Sequence, residues 1–162
     1  MFKIEDYEAA LKEPLASLDI GLLILNAGWA TMGPFEQLTN EEVQRTININ
    51  ILHVAYCAKV LATQLVSRFE ITGKKTGLII TSSQVGLAPT AGTIAYSCGK
   101  AFDHYLALGL GVEFAGKVDV ISYNPGGVNT PFLRDDELRK EIQAIMISPE
   151  LAASTCFRDL GY

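Results

Sequence analysis

Residues 20–28 read IGLLILNAG, an apolar run that stops abruptly at Asn26-Ala27-Gly28. With no polar side chain on either face, the run reads as a strand buried on both sides. Working outward, GLIITSS at residues 77–83 and VDVISY at residues 118–123 read as two more strands, the last ended by Asn124-Pro125-Gly126-Gly127. Elsewhere the period is helical. Ile4, Tyr7, Leu11 and Leu15 recur at helix spacing near the start. Thr39-Asn40-Glu41-Glu42 is a capping box that opens a long helix reaching to about Phe69. Pro89 and Gly92 break the chain before a second long helix, from about Ala95 to Phe114. A short helix is expected from Asp135 to Ile145. Ser148-Pro149-Glu150 then starts a last one, with serine as cap and proline at the first helical position. Short apolar strands separated by long helices make a parallel sheet with helices on both sides, so the fold class is α/β.

The bulk numbers bound the function. A chain of 162 residues, 49% hydrophobic and 19% charged, can form one domain with a real core. Its net charge of -5 and pI of about 5.0 exclude a general nucleic-acid binder, because no basic stripe exists to displace phosphate counterions. Cys57, Cys98 and Cys156 stand far apart and are expected to be reduced thiols. Two histidines, His53 and His104, are too few for a histidine-rich metal site, and no metal is expected. No apolar run approaches the roughly 18 residues a membrane helix needs. The acidic, amphipathic start MFKIEDYEAALKEP is neither signal nor transit peptide, so a soluble, intracellular chain is expected.

One helix face carries candidate chemistry. Tyr96 and Lys100 of YSCGK lie four residues apart, so that face presents both side chains together. A free phenol titrates near 10, and a neighbouring ammonium favours the phenolate and lowers that value. Such a phenol can give or take a proton while a carbonyl and an alcohol interconvert. Ser83 of TSSQVG, at the C-terminal end of a strand, can hydrogen-bond the substrate oxygen. Strand C-termini are where ligands bind in a doubly wound sheet. Cys98 is expected to be a small packing residue, and His53 and His104 to be helix-surface or interface residues. Trp29 and Met32, after the NAG turn, either border a substrate or pack. The segment 132–147 is either a lid or an ordinary surface helix.

These motifs together resemble the short-chain dehydrogenase/reductase family, from about Ile20 to Pro131. LNAG (25–28), ININIL (47–52), TSSQVG (81–86), YSCGK (96–100) and NPGGVNTPF (124–132) follow one another in the family's order. The resemblance implies a catalytic set of Asn50, Ser83, Tyr96 and Lys100, with Asn48 as the rival for Asn50. It implies cofactor contacts from Asn26, Ala27, Gly28, Tyr96, Lys100, Pro125, Gly126, Val128 and Thr130, and NADP or NAD as the cofactor. Hydride would go to a ketone carbon, Tyr96 would protonate its oxygen, and Ser83 would hold that oxygen. Lys100 would lower the tyrosine pKa and bind the ribose, and Asn50 would hold a water linking Lys100 to solvent. The branch that looks most similar contains 3-oxoacyl-CoA reductases of fatty-acid elongation and 17β-hydroxysteroid dehydrogenases. For that branch an endoplasmic-reticulum location follows by resemblance only.

The family's glycine-rich pyrophosphate turn has no counterpart before LNAG. The sequence therefore predicts a partial Rossmann-type doubly wound sheet, about strands four to six of seven with their helices, over residues 1–162. Three readings stand side by side. The chain is part of a longer reductase, or a non-catalytic family-derived subunit with a structural role in a larger assembly, or one half of a split enzyme. In each, association through the two long helices is expected, as a homo-oligomer or with a partner chain that covers exposed sheet edges. The partner molecule of the catalytic readings is a small ketone or alcohol, and no nucleic acid is expected.

Overall fold

In the computed structural model the described residues are 3–133 and 136–160. Three parallel strands, β1 (Leu22–Leu25), β2 (Thr76–Thr81) and β3 (Val118–Tyr123), form one sheet in the order β1-β2-β3. Leu22 pairs with Gly77, and Thr76 with Val118, so the three C-terminal ends lie along one rim. That rim is where the sequence placed Asn26, Ser83 and Asn124. Helical structure fills the connections. α1 runs through Ile4–Tyr7, a π turn Glu8–Lys12, and Glu13–Leu15. α2 runs Asn40–Thr72 and contains a π turn at Asn48–His53. α3 is Ile94–Glu113, α4 Asp136–Ile142 and α5 Pro149–Asp159.

Period-two alternation sorts the sheet's faces. Leu23, Leu25, Leu78, Ile80, Val118 and Val120 point to one face, where Val54, Cys57, Ala58 and Leu65 of α2 and Ala107 of α3 close the core. The opposite face receives α5. The Tyr123 hydroxyl donates to the Ala152 carbonyl at 2.8 Å, and Leu160 at the helix end lies where a side chain at Gly77 would stand. Leu65, Leu78, Ile79 and Ile80 are fully buried. Each stabilises the fold by about 1.5–3 kcal/mol through burial, which makes β2 the anchor of the sheet.

β1 departs from expectation. Its burial alternates, and Leu22 and Ile24 are 36% and 44% exposed, because α5 covers β2 and β3 but stops short of β1. The run is apolar on both faces, yet these residues bury only one of them. The other elements lie close to their sequence positions. Thr39 accepts from the Glu42 amide and Glu42 returns a bond to the Thr39 amide, completing the capping box. Ser148 caps α5, with Pro149 at its first position. The short helix expected from Asp135 to Ile145 is α4 followed by a 3-10 turn at Gln143–Ile145, and Asp135 itself lies outside the described residues. α2 runs three residues past Phe69, to Thr72, and Gly73 ends it in the left-handed conformation at φ 70°. Contrary to the expectation from the sequence, α2 is by length and composition alone long and apolar enough to cross a membrane. A third of its most apolar window is buried inside this fold.

Candidate active site

Tyr96 and Lys100 stand one turn apart on α3, and the tip of β2 packs directly on the backbone between them and the sheet. The Ser82 hydroxyl donates to the Lys100 carbonyl at 2.6 Å. A Cβ on Gly86 would lie 2.7 Å from the Lys100 carbonyl carbon, so only glycine lets the 3-10 turn Gln84–Gly86 sit this close. That contact carries Ser83, the turn's cap, against Tyr96. The Ser83 hydroxyl is close enough to the phenol to favour its ionised form. Ser83 also lies 3.5 Å from the Pro125 carbonyl, which accepts the Gln84 amide, so the loop after β3 closes on the same point.

Lys100 is almost fully buried. Its ammonium donates to the Thr81 carbonyl at 2.6 Å and to Asp103 Oδ2 at 2.9 Å, and lies 5.9 Å from the Tyr96 ring centroid. Asp103, one turn further along α3, is completely buried, and its Oδ1 has no hydrogen-bond partner among the described residues. Sequence analysis did not single out Asp103. The only signal available was a carboxylate at i+3 from Lys100, a spacing shared by many surface pairs.

The tyrosine's ionisation reflects these surroundings. Burial pushes Tyr96 up to about 12; the Ser83 hydrogen bond pulls it down, and the Asp103 carboxylate adds to the rise. The lowering expected from Lys100 is thus not what the fold delivers, first because burial disfavours the phenolate and then because the Asp103 carboxylate adds to the rise. Burial likewise raises Asp103 to about 6, against the opposing pull of Lys100.

Asn50 sits in the π turn of α2 with no exposed surface. Its Oδ1 accepts from the Trp29 amide at 2.8 Å and its Nδ2 donates to the Trp29 carbonyl at 2.7 Å. The side chain therefore clamps the loop after β1. Asn48 instead accepts from Gln44 on the outer side of the helix. A Cβ on Gly99 would lie 2.8 Å from Asn50 Cβ, so the glycine inside YSCGK lets α3 meet the π turn. π turns inside α-helices occur frequently at functional sites.

The expected cofactor residues line the same rim. Asn26 and Ala27 are exposed and Gly28 is half-buried. A Cβ on Gly28 would stand 3.5 Å from Lys100 Nζ and 3.6 Å from Asn50 Oδ1, so the glycine keeps a small-residue cradle open over both. A Cβ on Gly126 would stand 3.0 Å from Gln84 Oε1, and a bridge between Val128 and Ile147 fixes the loop that carries Pro125, Val128 and Thr130. Phe132, 46% exposed, places its ring 5.9 Å from that of Tyr96. Within the 132–147 segment, Phe132 thus faces Tyr96 while Ile147 holds the Val128 loop. Met32 is half exposed, whereas Trp29 is held: its Nε1 donates to Thr31 and Arg45 lies 4.5 Å over its ring.

Three smaller expectations change. Cys98 is exposed, since the helix face between Tyr96 and Lys100 turns outward there. His53 and His104 turn inward, to Tyr7 at 3.1 Å and Ser122 at 2.7 Å, because α1 and β3 offer each imidazole a hydroxyl.

The family described as short chain dehydrogenase matches residues 3–141. A very-long-chain 3-oxoacyl-CoA reductase of Podospora anserina is 36% identical over 132 residues, covering 80% of this chain and 34% of that protein. A 17-beta-hydroxysteroid dehydrogenase type 3 of Mus musculus is 34% identical over 137 residues, covering 82% and 43%. The chain thus spans between a third and a half of these relatives' lengths. Among solved structures, a short-chain dehydrogenase of Sphingobium yanoikuyae in complex with NADPH is 31% identical with a TM-score of 0.66, covering 77% of this chain and 48% of that one. A 3-ketoacyl-(acyl-carrier-protein) reductase of Brucella melitensis shares the fold at TM-score 0.80 and 22% identity, over 96% of this chain and 66% of that one.

Proposed function

The chain belongs to the short chain dehydrogenase family, and we propose that it is the catalytic half of an NAD(P)(H)-dependent oxidoreductase interconverting a ketone and a secondary alcohol. The convergence of Ser83, Tyr96, Lys100 and Asn50 on one rim of the sheet supports this most directly. A 3-oxoacyl or steroid-like ketone is the proposed substrate, by similarity to the relatives named above. The proposed setting is intracellular, with the endoplasmic reticulum favoured by the same similarity.

In this reading the Tyr96 phenol, kept protonated by its burial, gives its proton to the ketone oxygen as that oxygen becomes an alkoxide. Ser83 holds the oxygen beside the phenol. Two of the three donors of the Lys100 ammonium are engaged by Thr81 and Asp103, and the third remains for a ribose hydroxyl. The open cradle at Gly28 fits a dinucleotide held by Asn26, Ala27, Gly28, Lys100, Pro125, Gly126, Val128 and Thr130. When bound, the nicotinamide supplies hydride. The glycine-rich pyrophosphate turn is not among these residues, so the proposal has it contributed from outside them, by the same polypeptide or by another.

A second reading, a non-catalytic family-derived subunit, draws support from the uncovered apolar side chains of β1, which suit a covering partner. Fluorescence titration of the chain with NADPH and with NADH separates the two. Saturable binding, lost on combining Tyr96→Phe with Lys100→Ala, is the outcome expected of the catalytic half. Ketone reduction should then fall by roughly two to four orders of magnitude in Tyr96→Phe. No binding by a folded, monodisperse chain would leave the structural role, or a catalytic half that still lacks its pyrophosphate turn.

A further inference from the structure

Lys100 is the one ammonium that lies beneath the Tyr96 ring, and it meets a full countercharge there. Asp103 and Lys100 are both essentially excluded from solvent, with the carboxylate 2.9 Å from the ammonium. A buried ion pair is costly to assemble unless each member's remaining valences are satisfied, and Asp103 Oδ1 has no partner among the described residues. An apolar side chain would fill this position without that cost. The carboxylate is therefore a poor choice for stability alone.

We propose that Asp103 is a positioning residue of the site: as the buried counter-ion of Lys100, it fixes the ammonium beneath the Tyr96 ring and offsets its charge there. The inference rests on the catalytic reading given above. Two consequences follow from the geometry. With Thr81 and Asp103 taking two of its donors, the ammonium has one orientation, and its third donor is aimed rather than free to rotate. The net charge next to the phenol is close to zero instead of +1, so Tyr96 stays a proton donor over a wider pH range.

Among the described residues no other charged group pairs with Lys100. Of the elements packed on α3, β2 and the turn Gln84–Gly86 carry no ionisable side chain. On β3, Asp119 pairs with Lys75 and Tyr123 donates to Ala152. On α2, His53 meets Tyr7, and Arg45 covers Trp29. His104, the next residue on α3, turns to Ser122.

The test needs neither substrate nor cofactor. Asp103→Asn keeps the shape and one acceptor but removes the charge. Tyrosine ionisation is followed by NMR of ring-labelled tyrosine in the full chain, with the Tyr96 signal identified by its loss in Tyr96→Phe. At one alkaline pH where circular dichroism shows both chains folded, Asp103→Asn should hold about tenfold more Tyr96 phenolate than the parent. Adding Lys100→Met to Asp103→Asn should abolish that gain, because the unmasked ammonium is then gone. An unchanged Tyr96 titration in folded Asp103→Asn would overturn the proposal, as would a gain that survives Lys100→Met. Should Asp103→Asn fail to fold, Asp103→Leu with Lys100→Met removes both charges and restores an apolar pair. Tyr96 ionising in that chain as in the parent is the expected result, and a shift of tenfold in either direction would overturn the offsetting role. Failure of the parent, completed by its nucleotide-binding half, to bind NADPH or NADH while the titration behaves as expected would defeat the reductase reading and leave Asp103's role standing.

Discussion

Tyr96 illustrates how a buried side chain couples chemistry to stability. Its ionisation is raised, first by burial, to about 12, so the folded chain holds the phenolic proton more tightly than the unfolded chain does. That contribution is complete below the unfolded value near 10 and is lost as pH rises through 12. We expect a steep fall in the stability of the parent across this alkaline window. Tyr96→Phe should flatten the fall by about 2–3 kcal/mol, read from urea unfolding at successive pH values. A parent and variant with parallel pH curves would show that the phenol is not held this way. Gly99 makes a steric argument at the same scale. Gly99→Ala would press a methyl to 2.8 Å from Asn50 Cβ and push α3 off the π turn. A loss of roughly 1–3 kcal/mol is expected, read by chemical denaturation. Loosening of the Trp29 loop should accompany it, seen as faster amide exchange at Trp29.

Among the elements, the π turn at Asn48–His53 does the most to shape the site. Within α2 it directs Asn50 toward Gly99 and Trp29 while Asn48, two residues earlier, bonds Gln44 outside. The turn at Gln84–Gly86 performs the matching task on the sheet side by pinning Ser83 against α3. The loop after β3 completes the set, and the bridge between Val128 and Ile147 holds it. Each of these elements is irregular, and each brings a side chain to a point that a regular helix or strand would miss.

For the whole molecule, the uncovered surface is the dominant feature. Tyr105, Leu108 and Val112 form a stripe along α3 that is 76%, 52% and 79% exposed, a spacing that lines one helix face. Leu22 and Ile24 form the second exposed apolar group, on β1. Patches of this kind mark interaction surfaces. We expect the chain to self-associate through the α3 stripe. Leu108→Glu with Val112→Glu should shift sedimentation velocity from a concentration-dependent dimer to a monomer, whereas Ile24→Lys should leave the dimer intact. The opposite result would assign association to the β1 edge.

The order of strands and helices, the caps at Thr39 and Ser148, and the presence of Ser83, Tyr96 and Lys100 on one rim were legible in the sequence. They depend on local period, local hydrogen bonds and short spacings, which nearest neighbours along the chain dictate. The pairing of Asp103 with Lys100, the inward turn of Asn50 onto Trp29, and the half-covered state of β1 were decided only by the tertiary structure. The physical reason is the same in each case. Burial sets the dielectric and the available partners of a side chain, and burial depends on which distant element packs above it. Tyr96 shows the difference most plainly: spacing along α3 brings it Lys100 and Asp103 alike, and only the packing above the helix buries the phenol and the ion pair.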